Sequence, residues 1–338
     1  MQKSMCVLAA LASLLGSAGA RVAAAEDFYR GKTIRMIVPS EAGGGYDYYG
    51  RTLAAHLRRH IPGEPNIIVQ NMPGGGGLTS ANWLYNVAPK DGLSIGLIQR
   101  GVPFYPYFGD RNALYVPTQF NWLGSFNSET GVTTMWHTAK VQTMAAALTE
   151  TAVLGGSGPN DSETYPSLMN NTIGTKFRVV AGYRANTAVL LAMERGEVEG
   201  ITGSWSSMKV ERPDWLRDRK VSVIVQVART KHADLPDVPL IMDYVRKPED
   251  RAMWNVILAM ATVGRPVTAP PGLPADLSRT LREAFAATMK DPAFVGEMAR
   301  TQRELTPETG ETMAQMLEEV AATPPEILAR LNSYIKRN

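Results

Sequence analysis

Apolar segments alternate with segments of helical periodicity along the first hundred residues. Strands are predicted over residues 34–38, 66–70 and 93–98, and helices over 48–60 and 79–87. Strands separated by helices indicate a parallel sheet, in which the carboxyl ends of the strands meet at one edge. That edge is where ligands bind in sheets of this kind, so residues just after each strand carry most interest.

The same alternation continues beyond residue 121 and predicts a second α/β domain. Further strands are predicted over residues 121–126, 132–136, 153–154, 177–180, 199–204, 221–228 and 255–263, and further helices over 142–148, from 162, 186–195, 275–289 and 310–335, the last broken at Pro324 and Pro325. The last third has no glycine loop, and we expect it to pack back onto the first domain. The predicted organisation is 1–25 as a signal peptide, 26–123 plus 229–338 as domain 1, and 124–228 as domain 2.

Two glycine-rich loops follow the first two predicted strands. Loop one is Ser40, Glu41, Ala42, Gly43, Gly44, Gly45, Tyr46 and Asp47, and loop two is Pro73, Gly74, Gly75, Gly76 and Gly77. Each loop leads into a predicted helix, so backbone N–H groups at the positive end of a helix dipole point into a small space. We expect the two loops to bind one anionic ligand without a charged side chain.

Composition removes several classes of function. The 338 residues carry a net charge of +3 with no run of Lys or Arg, so nucleic-acid binding has no electrostatic support.

Residues 1–25 have the pattern of a cleaved secretory signal peptide, with cleavage after Ala25 or Ala20, which predicts export to the periplasm. Cleavage removes Cys6, the only cysteine, so the mature chain has no thiol nucleophile, disulfide or cysteine metal site.

Familiar catalytic and cofactor motifs do not fit these loops. Gly43-x-Gly45 is followed by Tyr48 where a dinucleotide fingerprint needs glycine, and loop two lacks the lysine of a P-loop. His56 and His60 have metal-ligand spacing but lie beside arginines, which favours a solvated basic helix face. We therefore predict no cofactor, no metal and no catalytic residue.

A third Gly/Ser turn and several single residues are further candidates. Gly156, Ser157 and Gly158 follow an apolar strand, and Ser157 lacks the spacing of a hydrolase nucleophile but could contact a ligand through its hydroxyl. Other candidates are Arg100 and Arg184, each able to pair with a second carboxylate or to lie on the surface, and Tyr46 and Trp205, each able to stack on a ligand or to pack in the protein. Asp47 suits a helix N-cap better than a ligand contact.

The chain resembles the substrate-binding proteins of tripartite tricarboxylate transporters, the Bug family. The resemblance spans the whole mature chain and rests on the order and spacing of segments that are weak one by one. These segments are residues 28–35, 43–47, 60–63, 70–74, 88–92, 121–125, 191–198 and 235–239.

The resemblance implies a type II periplasmic-binding-protein fold, the Venus flytrap, with two α/β domains around a ligand cleft. It implies that amides of loops one and two bind a small carboxylate, and that Gly156, Ser157 and Gly158 contact it from the second domain. We expect Ser204 or Trp205 to add a contact when the second domain closes. It also implies delivery to a membrane permease of a large and a small subunit. We expect the protein to be a monomer.

Departures from the family pattern put the ligand in question. Many members have a small or apolar residue where this chain has Glu41, whose carboxylate would repel an anion unless it points away. A sensory receptor for a membrane signalling partner remains an alternative to a transport protein. An exported enzyme is a weaker one, because only Glu41 and Asp161 among the loop acids could serve as its general base.

Overall fold

A computed structural model describes residues 28–43, 45–157, 161–183, 186–301 and 303–335. The predicted signal peptide lies outside these residues, as do three predicted site residues, Gly44, Gly158 and Arg184. Within the described part of the chain, no helix has the length and apolar character needed to cross a membrane.

The chain forms two compact units, each built from separated stretches of sequence. Unit 1 contains residues up to 127 and 265–317, and unit 2 contains residues 128–264 and 318–338.

Unit 1 is built on a mixed six-stranded sheet. Its strands are β1 (Thr33–Val38), β2 (Asn66–Asn71), β3 (Ser94–Leu97), β4 (Asn121–Ser125), β10 (Pro266–Ala269) and β11 (Glu308–Thr309), in the order β11-β4-β10-β3-β1-β2. β1 pairs in parallel with β2 and β3, whereas β10 runs antiparallel to both β3 and β4. The predicted parallel arrangement therefore holds for the first three strands, and β10 makes the whole sheet mixed.

The helices of unit 1 cover the sheet and close its hydrophobic core. They are α1 (Gly45–Leu57), α2 (Leu78–Asn86), α9 (Ala275–Thr288), α10 (Pro292–Arg300) and the greater part of α11 (Gly310–Ala321), with 3-10 turns at Arg58–His60, Gly75–Gly77, Val102–Phe108 and Pro117–Gln119. In the core, the ring of Phe126 lies 5.0 Å from that of Tyr49 and 5.8 Å from that of Phe285, both edge-on. All three rings are almost fully buried, so the sheet, α1 and α9 share one core.

Unit 2 has a five-stranded mixed sheet of its own. Its strands are β5 (Gly131–Trp136), β6 (Ala152–Gly156), β7 (Phe177–Ala181), β8 (Gly200–Ser204) and β9 (Val221–Val227), in the order β7-β6-β8-β5-β9. Its helices are α3 (Met144–Thr149), α4 (Asp161–Thr172), α5 (Asn186–Glu194), α6 (Trp205–Glu211), α7 (Pro213–Arg217), α8 (Pro248–Thr262) and α12 (Pro325–Ile335). A 3-10 turn lies at Ile241–Asp243.

The apolar run over residues 255–263 is a helix, not the predicted strand. It is the second half of α8, whose first turn has Pro248 followed by Glu249 and Asp250, a favourable helix start. Nine of its residues are buried, including Trp254 and Ile257, so the apolar face is too wide to show a helical period. A short apolar run of this kind does not distinguish a buried strand from a buried helix.

This helix moves the domain boundaries away from those predicted. α8 packs in unit 2, where the indole N–H of Trp254 donates to the hydroxyl of Thr172 in α4 at 2.9 Å. The chain therefore returns to unit 1 at Arg265 rather than near residue 229. The last residues, 318–338, also belong to unit 2, whereas the sequence predicts that they pack on the first domain.

Candidate functional site

Both glycine loops of unit 1 begin at the same edge of its sheet. β1 and β2 are parallel and in register, so Val38 and Asn71 end side by side, and the amide of Met72 donates to the carbonyl of Val38 at 2.8 Å. Loop one follows Val38 and loop two follows Met72. The topology therefore brings the two predicted anion-binding loops together.

Loop one exposes its backbone at the start of α1. Glu41, Ala42, Gly43 and Gly45 are all exposed, and Gly43 has the positive φ of +84° that favours glycine. α1 begins at Gly45, so its first amides lack partners within the helix. Glu41 is exposed like its neighbours, and the direction of its carboxylate relative to a bound anion stays a prediction.

Asp47 holds loop one against β2 and does not occupy the predicted N-cap position. It lies in the first turn of α1, where its Oδ2 accepts the amide N–H of Gly43 at 2.8 Å. Asn71 donates from Nδ2 to Asp47 Oδ1 at 2.8 Å and to the carbonyl of Ser40 at 2.8 Å. Arg51 donates to Asp47 Oδ2 at 2.9 Å and to Asn71 Oδ1 at 3.1 Å. This network fixes both ends of loop one.

The network also determines the charge of Asp47. The hydrogen bond from Arg51 lowers the pKa of this carboxyl to about 2, helped by the Gly43 amide and Asn71 and opposed by its burial. Asp47 is 4% exposed, so its charge is used inside the loop. Asn71 and Arg51 were missed in the sequence, because their role depends on the pairing of β2 with β1.

Loop two has four consecutive glycines in conformations that side chains rarely adopt. The φ angles of Gly74, Gly75, Gly76 and Gly77 are +129°, +55°, +62° and +96°. Gly77 is also tightly packed, because a Cβ atom there would lie 3.1 Å from both Gln99 and Val102. All four glycines are therefore required by the backbone conformation, whereas a single tight turn would need only one or two of them.

The start of loop two's helical segment supplies donors for an anion. A 3-10 turn over Gly75–Gly77 leads directly into α2, and the amide of Gly77 donates to the carbonyl of Gly74 at 2.9 Å. The amides of Gly75 and Gly76 occupy the first positions of this turn, which have no partner within a helix. The hydroxyl of Tyr105 lies 3.7 Å from where a Cβ of Gly76 would be, so its phenol borders the same loop.

Two arginines lie at this edge besides Arg51, one of them predicted and one missed. The backbone N–H of Arg100 donates to the hydroxyl of Tyr46 at 3.1 Å, which joins the end of β3 to loop one. Arg265 immediately precedes β10, and its guanidinium lies 5.9 Å from the ring centroid of Tyr46. The sequence gives no local signal for Arg265, because its position depends on the antiparallel pairing of β10.

Loop three, the third predicted Gly/Ser turn with Gly156 and Ser157, belongs to unit 2 and has its own network. The amide of Ser157 donates to the hydroxyl of Ser162 at 2.9 Å, and the Ser157 hydroxyl donates to Asn186 Oδ1 at 2.6 Å. Gly156 is buried, and a Cβ there would lie 2.7 Å from Glu163. Ser157 is thus held at the starts of α4 and α5, with a hydroxyl oxygen that can also accept a hydrogen bond.

Ser204 and Trp205 are engaged within unit 2. Ser204 caps α6 by accepting the amide of Ser207 at 3.2 Å, and donates to Glu129 Oε2 at 2.6 Å. The indole of Trp205 is 6% exposed and donates to Asp234 Oδ2 at 3.1 Å. Ligand contact by these two residues stays a prediction, and packing accounts for most of the Trp205 surface.

The predicted solvated face at His56 and His60 is wrong for His56, which is buried, and both rings contact carboxylates within or just before α10. His56 Nε2 lies 2.8 Å from Glu297 Oε2, and His60 Nε2 lies 3.0 Å from Asp291 Oδ2. The two rings thus have separate carboxylate partners. Within the described residues, no group of three or more His, Cys, Asp or Glu side chains could hold a metal ion.

Sequence comparison finds one relative over most of the chain. No family model matches the chain. A protein of Agrobacterium vitis, described as a UPF0065 protein in the TAR-I ttuE-ttuC' intergenic region, is 22% identical over 291 residues, which are 82% of this chain and 77% of that protein.

Comparison of structures confirms the predicted fold. A TctC solute binding protein from Polaromonas, without ligand, has a TM-score of 0.72 at 20% identity, and the match covers 91% of this chain and 99% of that one. An R. palustris protein with adipate has a TM-score of 0.56 at 18% identity, with coverage of 89% and 97%. The two α/β units therefore have the periplasmic-binding-protein fold that the resemblance implies.

Proposed function

We propose that this protein is an exported, non-enzymatic solute-binding protein that captures a small carboxylate in the periplasm and delivers it to a tripartite tricarboxylate-type transporter. One observation supports this most directly. Loops one and two leave the same edge of one sheet, and each leads into a helical segment whose first amides have no partner within the helix. A carboxylate matches such donors in charge and size.

Further contacts are proposed on the residues around these loops. Arg100 and Tyr46 extend the unit 1 site beside loop one, and Ser157 is the contact that the resemblance implies in unit 2. The R. palustris structure with adipate supports a carboxylate as the class of ligand. The Asp47 carboxylate at loop one is bonded to Arg51, Asn71 and the Gly43 amide, so it serves to hold the loop.

The partner is proposed as a membrane permease of a large and a small subunit. The likeness to the TctC solute binding protein supports a role in transport, and a receptor for a membrane signalling partner is the alternative. Genes for two permease subunits beside this one would support delivery to a transporter. A gene for a membrane kinase in that place would contradict it.

A pair of glycine variants tests the site. Gly76→Asp adds a carboxylate at a positive φ of +62° inside loop two, whereas Gly31→Asp adds the same charge at a φ of +69° before β1, at the opposite edge of the sheet. Neither added Cβ meets an atom closer than 3.7 Å. We expect Gly76→Asp to weaken carboxylate binding at least about tenfold by charge repulsion, and Gly31→Asp to leave it within about twofold.

Thermal-shift screening of mono- and dicarboxylates, followed by calorimetry, measures this binding. Mass spectrometry of a molecule that copurifies from cells identifies the natural ligand. If no carboxylate raises the melting temperature of the wild-type protein, the proposed function is wrong. Equal binding by both glycine variants would instead reject loop two as the site.

A further inference from the structure

We propose that Arg265 binds a carboxylate group of the ligand, so that the protein prefers dicarboxylates to monocarboxylates of the same length. This inference rests on the proposed function and names the residue that determines specificity within it. It also departs from the expectation that backbone amides alone hold the anion.

The topology of unit 1 places Arg265 at the edge that carries the glycine loops. β1, β2 and β3 end at this edge, and antiparallel β10 begins there, one residue after Arg265. The amide of Ile98, just after β3, donates to the carbonyl of Pro266 at 2.9 Å. Residues following β1, β2 and β3 and the residue preceding β10 thus share one end of the sheet.

The backbone of Arg265 is fixed on β4, which also ends at this edge. Its amide donates to the hydroxyl of Ser125 at 3.0 Å, and its carbonyl accepts the amide of Phe126 at 3.2 Å. Nη1 donates to Asn127 Oδ1 at 3.0 Å. The side chain therefore starts from a rigid strand end rather than from a mobile loop, which suits a specific contact.

The guanidinium lies against the first turn and a half of α1. Its central carbon is 4.4 Å from the ring centroid of Tyr49 and 5.9 Å from that of Tyr46. Tyr46 is the second residue of α1, directly after Gly45 of loop one. The two aromatic rings hold the cation at the start of α1, the helix whose first amides we propose for the first carboxylate.

The hydrogen bonding of Arg265 is incomplete. A guanidinium presents five N–H donors, and in the described part of the chain its side chain donates only to Asn127. Nε is buried there with no hydrogen-bond partner, and no described carboxylate forms an ion pair with the group. A half-buried cation with spare donors is favourable to a ligand carboxylate, which accepts two parallel N–H bonds.

Matched ligands and variants test this proposal. The probes are three pairs of equal length, succinate with butyrate, glutarate with pentanoate, and adipate with hexanoate. We expect Arg265→Met to weaken the tightest dicarboxylate at least about tenfold and to leave its monocarboxylate partner within about twofold. Arg265→Lys keeps the charge without the planar fork, and we expect an intermediate loss.

The control is Arg35→Met. The guanidinium carbon of Arg35 also lies over an aromatic ring, 5.8 Å from the ring centroid of Trp83. Arg35 lies within β1, however, and not at the edge of the sheet that carries the glycine loops. The Arg35→Met variant should bind every probe with the same affinity as the wild-type protein. Melting temperatures of all variants without ligand separate a folding defect from a binding defect, and Arg265→Lys retains the test if Arg265→Met does not fold.

The outcomes are distinguishable. Wild-type protein that binds none of the probes contradicts the proposed function, and this inference with it. Wild-type binding that survives in folded Arg265→Met and Arg265→Lys overturns the inference alone. Equal losses of affinity for dicarboxylates and monocarboxylates also overturn the inference, since they would show that Arg265 maintains loop one without binding a second carboxylate.

Discussion

Asp47 shows how one buried carboxylate stabilises a loop that binds an anion. A negative charge at that edge would repel the ligand if it were exposed, but Arg51, Asn71 and the Gly43 amide use both of its oxygens. The charge of Asp47 therefore serves to hold loop one against β2. We propose that backbone amides of loops one and two that do not bond to Asp47 bind the ligand.

The stability that Asp47 contributes should depend on acid pH. Its pKa in the folded protein is lowered from 3.8 to about 2, so the stabilisation is present above pH 4 and is lost as pH falls toward 2. We expect the free energy of unfolding of wild type to exceed that of Asp47→Asn by about 1 kcal/mol at pH 6, a value kept small because Arg51 is 53% exposed. The difference should shrink steadily below pH 4.

Chemical unfolding of both proteins from pH 6 to pH 2 measures this difference in unfolding free energy. The other carboxylates titrate in both proteins, so their contributions cancel in the difference. Arg51→Met serves as a second variant, since it removes the main cause of the lowered pKa. A constant difference across this range would show that Asp47 acts by shape alone.

At the scale of elements, local sequence signals predict the glycine loops but not the side chains that hold those loops in place. Gly74 to Gly77 could be recognised because four adjacent glycines are rarely needed except for positive φ angles. The positions of Asn71 and Arg265 at the edge that carries these loops arise from strand pairing between distant segments, and no local pattern records such pairing. The helix α8 was missed because its residues are buried on most sides, which hides the period of 3.6.

Contact between β6 and α5 positions loop three, and we expect it to be sensitive to one methyl group. A Cβ added at Gly155 would lie 2.3 Å from Cγ1 of Val189, closer than atoms can approach. Gly155→Ala should therefore destabilise the protein by about 1–3 kcal/mol. Because Val189 is fully buried, Val189→Ala should itself cost stability by leaving space.

The double variant decides whether this contact is the cause. In Gly155→Ala/Val189→Ala, the added methyl group fills space left by the removed ones, so the loss should be smaller than the sum of the single losses. Denaturant unfolding of the four proteins measures the coupling. Strictly additive losses would mean that the contact with Val189 is not the cause of the loss in Gly155→Ala.

At the scale of the whole molecule, the chain passes between the two units more often than its hydrophobic pattern suggests. It leaves unit 1 after residue 127, returns at Arg265, and enters unit 2 again within α11. The final helix α12 therefore stabilises the unit that contains loop three. Each unit depends on segments far apart in sequence.

A buried charge connects α12 to unit 2. Asp250, in the first turn of α8, is 1% exposed, and its Oδ1 lies 3.3 Å from Nη2 of Arg330 in α12. The hydroxyl of Ser167 in α4 donates to the carbonyl of Tyr334 at 2.9 Å. Removal of the arginine leaves a buried carboxylate without its cation, which costs more than the loss of an exposed ion pair.

We expect Arg330→Met to lower the free energy of unfolding by about 1–2 kcal/mol, because the arginine is partly exposed and solvent moderates the effect. Asp250→Asn/Arg330→Met should lose less, since no unpaired charge remains. Arg195→Met, which breaks an exposed pair with Glu197 in the same unit, should change stability by less than about 0.5 kcal/mol. Hydrogen exchange of Arg330→Met should accelerate in α4 and α8 and stay unchanged in β1, β2 and β3. Acceleration in the unit 1 sheet instead would mean that α12 supports the first domain, as the sequence alone predicts.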